Sequence, residues 1–410
     1  MDYTTKKICV IGGGAAGMMA AGTAALYGAD ITIFESTDRL GKKLAITGKG
    51  RCNVTNNCTL QEFLDNVTKN PRFLYAAFNA FDTESTMNFF DSLGVELKTE
   101  RGKRVYPASN KAKDIVDAMR NYCAAATKIY HKVTAVSKNS DNGFTVTADK
   151  NYLFDRVIIA TGGKSYPLTG SDGSGYQLSI KLGHSVTELI PSLIPIESSS
   201  NICKQLQGLS LKNVAITIKT SDGKKIYTDF GEMLFTHFGV SGPIILSASA
   251  HLRNHDISSL TLSIDLKPAL DEKTLDARLI SDFSEQKNKD FINSLGSLLP
   301  SKLIEPFVVR TGIYPRKKTN AITKEERKVI LDTMKNFEIP LSKFRPIEEA
   351  IVTSGGIDVK EISPKDMQSK IVDGLYFAGE VIDVDAYTGG FNLQIAFSTG
   401  YLAGKSAAEN

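Results

Sequence analysis

The chain has 410 residues, 42% hydrophobic and 23% charged, which excludes a disordered polymer. At about 150 residues per domain, that length suggests roughly two to three domains, with enough core to fold without disulfides or metals. Lys and Arg number 49 against 45 Asp and Glu, and a net charge of +4 does not by itself point to nucleic acid. The short basic clusters at 101–104 and 316–318 read as solvated surface. The 5 cysteines are odd in number and form no C-x-x-C, so neither a disulfide framework nor a zinc site is expected.

A strand-like segment, Lys7–Ile11, begins almost at once, which argues against a signal peptide. The longest run of small apolar residues, Ala15–Leu26, is too short and too rich in Ala and Gly to span a membrane. A cytoplasmic protein is therefore expected. With the helix predicted over Ala16–Tyr27 and the strand over Asp30–Phe34, the opening reads as one βαβ unit. Helices are predicted at Leu60–Val67, Pro71–Ala80, Asp82–Leu93 and Lys111–Ala126. A strand pair follows at Ile129–Ser137 and Phe144–Ala148, turning at Asp141-Asn142-Gly143. Asp155–Ala160 reads as a buried strand.

Near Pro191 the texture changes. Strands are predicted at Val214–Lys219, Lys225–Asp229 and Leu260–Leu266, then charged helices from Asp271 to about Lys335. Apolar strand and Gly-rich turns return near Ile347, with a strand at Leu375–Ala378 and a final helix at Asn392–Ala408. The expected fold class is α/β. A Rossmann-like domain made of residues 1–190 and 345–410 is interrupted by a β-rich, barrel-like insert at 191–268 and 312–344. A small helical insert occupies 269–311.

Gly12, Gly14 and Gly17 form G-x-G-x-x-G between a strand and a helix. Gly12 permits the tight turn, Gly14 lets a diphosphate approach the backbone, and Gly17 lets helix and strand pack closely. The helix N-terminus, including Ala15 and Ala16, offers free N–H groups to the diphosphate. Glu35 ends the next strand, where a carboxylate takes the hydroxyls of an adenosine ribose and disfavours a 2′-phosphate. Ser36, Arg39, Gly41, Lys42 and Lys43 follow it. That stretch is similar to a segment of the two-dinucleotide-binding-domain flavoproteins in which the Arg and nearby backbone meet the diphosphate and ribityl end of FAD; a solvated basic loop is the plainer alternative. Ala160-Thr161-Gly162 resembles the ATG motif of the same proteins, and Val133 would supply backbone to the adenine. Gly379-Glu380 resembles the place where an acid meets the ribityl chain, with Asp383 a second choice. Gly390, Phe391, Asn392 and Leu393 start the last helix, whose N–H groups would stabilise a negative reduced flavin.

Longer stretches carry a closer resemblance. They are Thr47–Asn56 (TGKGRCNVTN), Arg104–Ala112 (RVYPASNKA), Gly162–Pro167, Leu234–Pro243 (LFTHFGVSGP), Thr353-Ser354-Gly355-Gly356, and Gly379 through Gln394. In order along the chain they resemble the BaiN/YhiN-type flavoproteins. Lys49 departs from the small residue expected there, and Tyr106 from the usual Phe. The resemblance implies FAD, a two-part FAD domain and two inserts. It also implies an oxidoreductase whose relatives include a bile-acid double-bond reductase and an oxidase of a small amino-ketone.

Arg51 and Asn53 are expected near the diphosphate or the flavin. Cys52 between them reads as a small buried thiol rather than a redox centre. His237, in a Gly-rich loop of the insert, is the catalytic candidate as proton donor, against the alternative of a histidine satisfied within the insert. No Ser/His/Asp order or metal spacing stands out. Three functions follow: an NAD(P)H-linked FAD reductase of a small molecule, an FAD oxidase of a small amine using oxygen, or an FAD-dependent RNA-modifying protein. Without a second G-x-G-x-x-G, a nicotinamide would have to use the substrate cleft as a transient donor. A small-molecule substrate is expected, with no nucleic acid and no membrane, and oligomeric state is left open.

Overall fold

The structure is a computed structural model and describes residues 5–410. The chain divides into two compact units, 1–192 with 346–410, and 193–345.

The first unit is built on a parallel sheet. Strand β1 (Lys7–Ile11) leads through helix α1 (Ala15–Leu26) to β2 (Asp30–Phe34). Helix α2 (Ala112–Tyr122) precedes β3 (Thr127–Ile129). An antiparallel trio follows: β4 (Ala135–Lys138), β5 (Phe144–Thr147) and β6 (Asn151–Phe154). Strand β7 is Arg156–Ile159. The predicted strand Ile129–Ser137 is two strands in different sheets. Its start belongs to β3, parallel to β2, while β4 pairs antiparallel with β5 at Val136 and Val146. The Asp141-Asn142-Gly143 turn stands, with Gly143 N–H bonded to Asp141 Oδ1 at 3.1 Å. The predicted helix Pro71–Ala80 opens with a 3-10 turn at Pro71–Leu74 before Tyr75–Ala80.

The second unit holds a closed barrel. Its strands are β8 (Ile196–Ser198), β9 (Ser210–Thr220), β10 (Lys225–Phe235), β11 (Gly239–Ser241), β12 (Leu260–Asp265) and β13 (Phe337–Phe344). They close in the order β8-β11-β10-β9-β12-β13. Alternation in β9 buries Leu211, Val214, Ile216 and Ile218. Helices α3 (Glu272–Glu285), α4 (Ser301–Thr311) and α5 (Lys324–Lys335) belong to the same unit. Their Leu279, Phe307 and Met334 join the barrel's Ile216 and Phe235 in one apolar cluster.

Back in the first unit, β14 (Leu375–Phe377) completes the five-stranded sheet, in the order β14-β7-β1-β2-β3. Helix α6 (Phe391–Glu409) ends the chain and packs on α1. Gly400 and Gly404 make this possible. A Cβ on Gly400 would lie 2.5 Å from Ala16 O, and one on Gly404 2.3 Å from Ala20 O. Both ends of the chain thus build one domain. Among the described residues, no helix is long and apolar enough to cross a membrane.

Candidate functional site

The C-terminal edge of the parallel sheet is where α/β folds of this kind bind ligands, and the candidate residues gather there. Gly12 has φ +106°, and a Cβ on it would lie 2.5 Å from Ala160 O. One on Gly17 would lie 1.8 Å from Gly12 O. These two glycines are required by the turn itself. Gly14 is different. It caps α1 with φ −81° and ψ −168°, and a Cβ there meets nothing within 4 Å. Its open side lies at the first turn of α1, whose N–H groups have no intrahelical acceptor.

Glu35 is buried, with Oε2 accepting from Gly13 N–H at 2.9 Å and Oε1 from Thr37 N–H at 2.8 Å. The carboxylate is thereby fixed at the end of β2. A Cβ on Gly170 (φ +98°) would lie 3.3 Å from Glu35 Oε1 and 3.2 Å from Ser36 Oγ. Gly170 therefore belongs to the wall of this corner, though its segment carries no familiar spacing. Arg39 is exposed, and Lys42 pairs with Asp38 at 3.1 Å. Val133 is buried in the loop between β3 and β4. Gly41 N–H bonds to Gly13 O at 2.8 Å, which ties the basic segment to the glycine turn.

The third region joins four separated segments. Lys43 Nζ donates to Glu380 Oε2 at 2.7 Å and to Ser165 Oγ at 2.7 Å. Glu380 Oε1 accepts from Ser165 Oγ at 3.1 Å and from Thr353 N–H at 2.8 Å. Gly162 and Gly163 lie against this carboxylate. A Cβ on Gly379 would lie 2.8 Å from Ala16 Cβ, so this corner adjoins the first turn of α1. Asp383, the second choice, is paired with Lys69 at 2.8 Å.

The tip of α6 meets the 53–56 segment. A Cβ on Gly390 (φ +99°) would lie 2.3 Å from Thr55 O. Gln394 is fully buried. Its Oε1 accepts from Thr55 Oγ1 at 2.6 Å and Thr86 Oγ1 at 2.8 Å, and its Nε2 donates to Phe81 O at 3.0 Å. Asn392 spends its amide on Ala386 and Tyr387. The Phe391 ring lies in the core near Phe63. What residues 391–393 leave open at the tip is their backbone N–H groups, which have no intrahelical acceptor.

Arg51 is engaged by Glu100 at 2.5 Å and Asn110 at 2.9 Å, and it covers the Tyr106 ring. Cys52 is buried, and burial pushes its thiol up to about 12, so it is no thiolate at neutral pH. Lys49 stands at φ +58°, a conformation that favours glycine, which explains the small residue expected there. His237 is exposed in the turn between β10 and β11, with its ring edge-on to Phe238 at 5.0 Å.

Among the described residues, the buried polar atoms without a hydrogen-bond partner include Asn53 Oδ1, Thr161 Oγ1 and the Tyr176 hydroxyl. Asn53 lies in the segment tied to the tip of α6, and Thr161 follows β7. Buried polar atoms without partners are rare. An acceptor at Asn53 and the open face of Gly14 fit a ligand carrying both a diphosphate and hydrogen-bond donors. FAD is such a ligand. Gly14 and the first turn of α1 would hold its diphosphate and Glu35 its ribose.

One trio went unrecognised in the sequence. His184 Nδ1 lies 3.1 Å from Glu361 Oε2, and Nε2 lies 2.8 Å from Ser369 Oγ. Ser369 Oγ also accepts N–H bonds from Ile371 and Val372 and is buried. The trio therefore fixes a turn; its serine is not free to attack a substrate.

This arrangement defines an FAD-dependent oxidoreductase of the Rossmann class. The chain belongs to the HI0933-like protein Rossmann domain family, which matches residues 6–406. It is 30% identical to a 3-dehydro-bile acid delta(4,6)-reductase of Clostridium scindens, over 98% of this chain and 99% of that protein. It is also 30% identical to a ribosomal RNA dihydrouridine synthase of Haemophilus influenzae, over 97% of each. A solved 3-ketosteroid delta1-dehydrogenase from Sterolibacterium denitrificans has the same fold, with TM-score 0.53 at 12% identity, over 99% of this chain and 100% of that one.

Proposed function

We propose that this enzyme reduces a carbon–carbon double bond conjugated to a carbonyl, with a nicotinamide nucleotide as transient electron donor. What carries the reading is a chemistry shared by the names of two full-length relatives. A 3-dehydro delta(4,6) bile acid has double bonds conjugated to its 3-oxo group. Dihydrouridine is uridine with its ring double bond reduced, and that bond is conjugated to a ring carbonyl. In both, the carbonyl makes the far carbon electrophilic. When bound and reduced by the nicotinamide nucleotide, the flavin would supply the hydride for such a reaction.

The chain's own residues do the rest. Gly14 and the N–H groups of residues 15–17 hold the diphosphate, Glu35 the adenosine ribose and Glu380 the polyol. The N–H groups at the tip of α6 favour negative charge in front of them. His237 is the proton donor in this proposal.

Anaerobic mixing tests it. NADH or NADPH should bleach the bound flavin, and a 4-en-3-oxo steroid or a uridine-containing rRNA fragment should restore the colour with one ene reduced per flavin. Which of the two substrates restores it separates a small-molecule enzyme from an RNA-modifying one. Rapid recolouring by air alone, with peroxide formed and neither ene consumed, would overturn the proposal in favour of an oxidase.

A further inference from the structure

We infer that Lys43 is a positioning residue that holds the Glu380 carboxylate ready for the polyol (ribityl) chain of FAD, and is not a ligand of the diphosphate. The inference rests on FAD occupying the first unit. Its basis is an account of lone pairs and protons around one carboxylate.

Glu380 Oε1 accepts two hydrogen bonds, from Ser165 Oγ and Thr353 N–H, and so uses both of its acceptor sites. Oε2 accepts one, from Lys43 Nζ. One acceptor site remains on Oε2. Lys43 Nζ has three N–H bonds and spends two, on Glu380 and Ser165. One donor remains. The two side chains are still 20% and 24% exposed, so the free acceptor and free donor are reachable. An adjacent donor and acceptor match an alcohol, which both gives and takes a hydrogen bond. They do not match a phosphate oxygen, which beside Glu380 would face a carboxylate.

The surroundings fix the pair rather than merely permit it. Thr353 Oγ1 accepts from Lys164 N–H at 2.8 Å, so the residue that donates to Glu380 is itself anchored. A Cβ on Gly163 would lie 2.5 Å from Thr353 Oγ1 and 2.9 Å from Glu380 Oε1, so the loop closes flush on the ring of bonds. Without Lys43, Glu380 loses its only cation in this ring and is free to swing toward solvent.

ADP and FAD separate the two roles, because ADP carries the adenosine and diphosphate but no polyol. Binding of each to full-length apoprotein is measured by calorimetry. In Lys43→Met, FAD affinity should fall about tenfold or more, the scale of one charge-assisted hydrogen bond. ADP affinity should stay within about twofold, and Lys43→Arg should recover most of the FAD loss. Glu380→Gln should show the same FAD-selective loss, and the double variant should be no weaker than the worse single one. Equal losses of ADP and FAD would place Lys43 on the diphosphate and overturn the inference, as would unchanged FAD affinity. Should Lys43→Met fail to fold, Ser165→Ala removes one bond of the ring and should give a smaller loss, again for FAD alone; a loss shared with ADP would contradict the inference. A wild-type protein that binds ADP but no FAD would instead refute the cofactor assignment.

Discussion

Gly14 carries the sharpest residue-scale prediction, because its own backbone does not need glycine. Its φ of −81° suits any residue and its Cβ direction is open. Gly14→Val should therefore leave the apoprotein's melting temperature within a degree or two while abolishing FAD retention, since the branched side chain fills the space in front of α1. Full FAD occupancy in the purified variant would show the diphosphate is elsewhere. Lys49 makes the opposite case. At φ +58° it bears the strain of a left-handed conformation. Lys49→Gly should raise stability by about 1 kcal/mol in urea denaturation, and no gain would mean the strain is relieved another way. Gly12 and Gly17 were legible in the sequence because the turn leaves no room for a Cβ at either position. Arg51 and Asn392 were legible only as polar residues in a suggestive stretch. Their partners Glu100, Asn110, Ala386 and Tyr387 are set by tertiary placement, which no spacing rule reports.

At the scale of elements, the pairing of α1 with α6 depends on two glycines. Gly404→Val would push a side chain into Ala20 O, only 2.3 Å from the Cβ position. Chemical denaturation should show a loss of about 2–3 kcal/mol. The turn held by His184 has its own signature. Burial pulls this histidine below its ordinary 6.5, against the upward pull of Glu361. The folded state therefore resists protonation while the unfolded state accepts it. Stability is full above about 6.5 and declines as pH falls from there toward the lowered folded value. The melting temperature should drop more between pH of about 7.5 and 5.5 in the wild type than in His184→Asn, and equal drops would assign the effect to other groups. The trio was invisible in the sequence because Glu361 and Ser369 lie 177 and 185 residues from His184. The βαβ opening, by contrast, could be read directly from an apolar strand, small-residue helix and acidic strand end. The barrel was harder. β8 and β11 are 3 residues each, too short to show alternation.

Across the whole molecule, the chain leaves its first unit after Ser192 and re-enters at Pro346, close to where the composition shifts near Pro191 and Ile347. That return was readable because β14 and α6 repeat the texture of the opening: a buried strand, a glycine turn and a small-residue helix. The substrate was not readable, because the groups that would choose it have no motif of their own. His237→Gln should slow ene reduction while NAD(P)H reduction of the flavin is unaltered; an unchanged rate of ene reduction would clear His237 of the proton-donor role.

The central claim is that segments from both ends of the chain hold one FAD. Denaturing the purified protein and weighing the released cofactor tests it most directly. One FAD per chain, lost in Gly14→Val and retained in His237→Gln, is the result predicted. A colourless wild-type protein that takes up no FAD on titration would contradict the account.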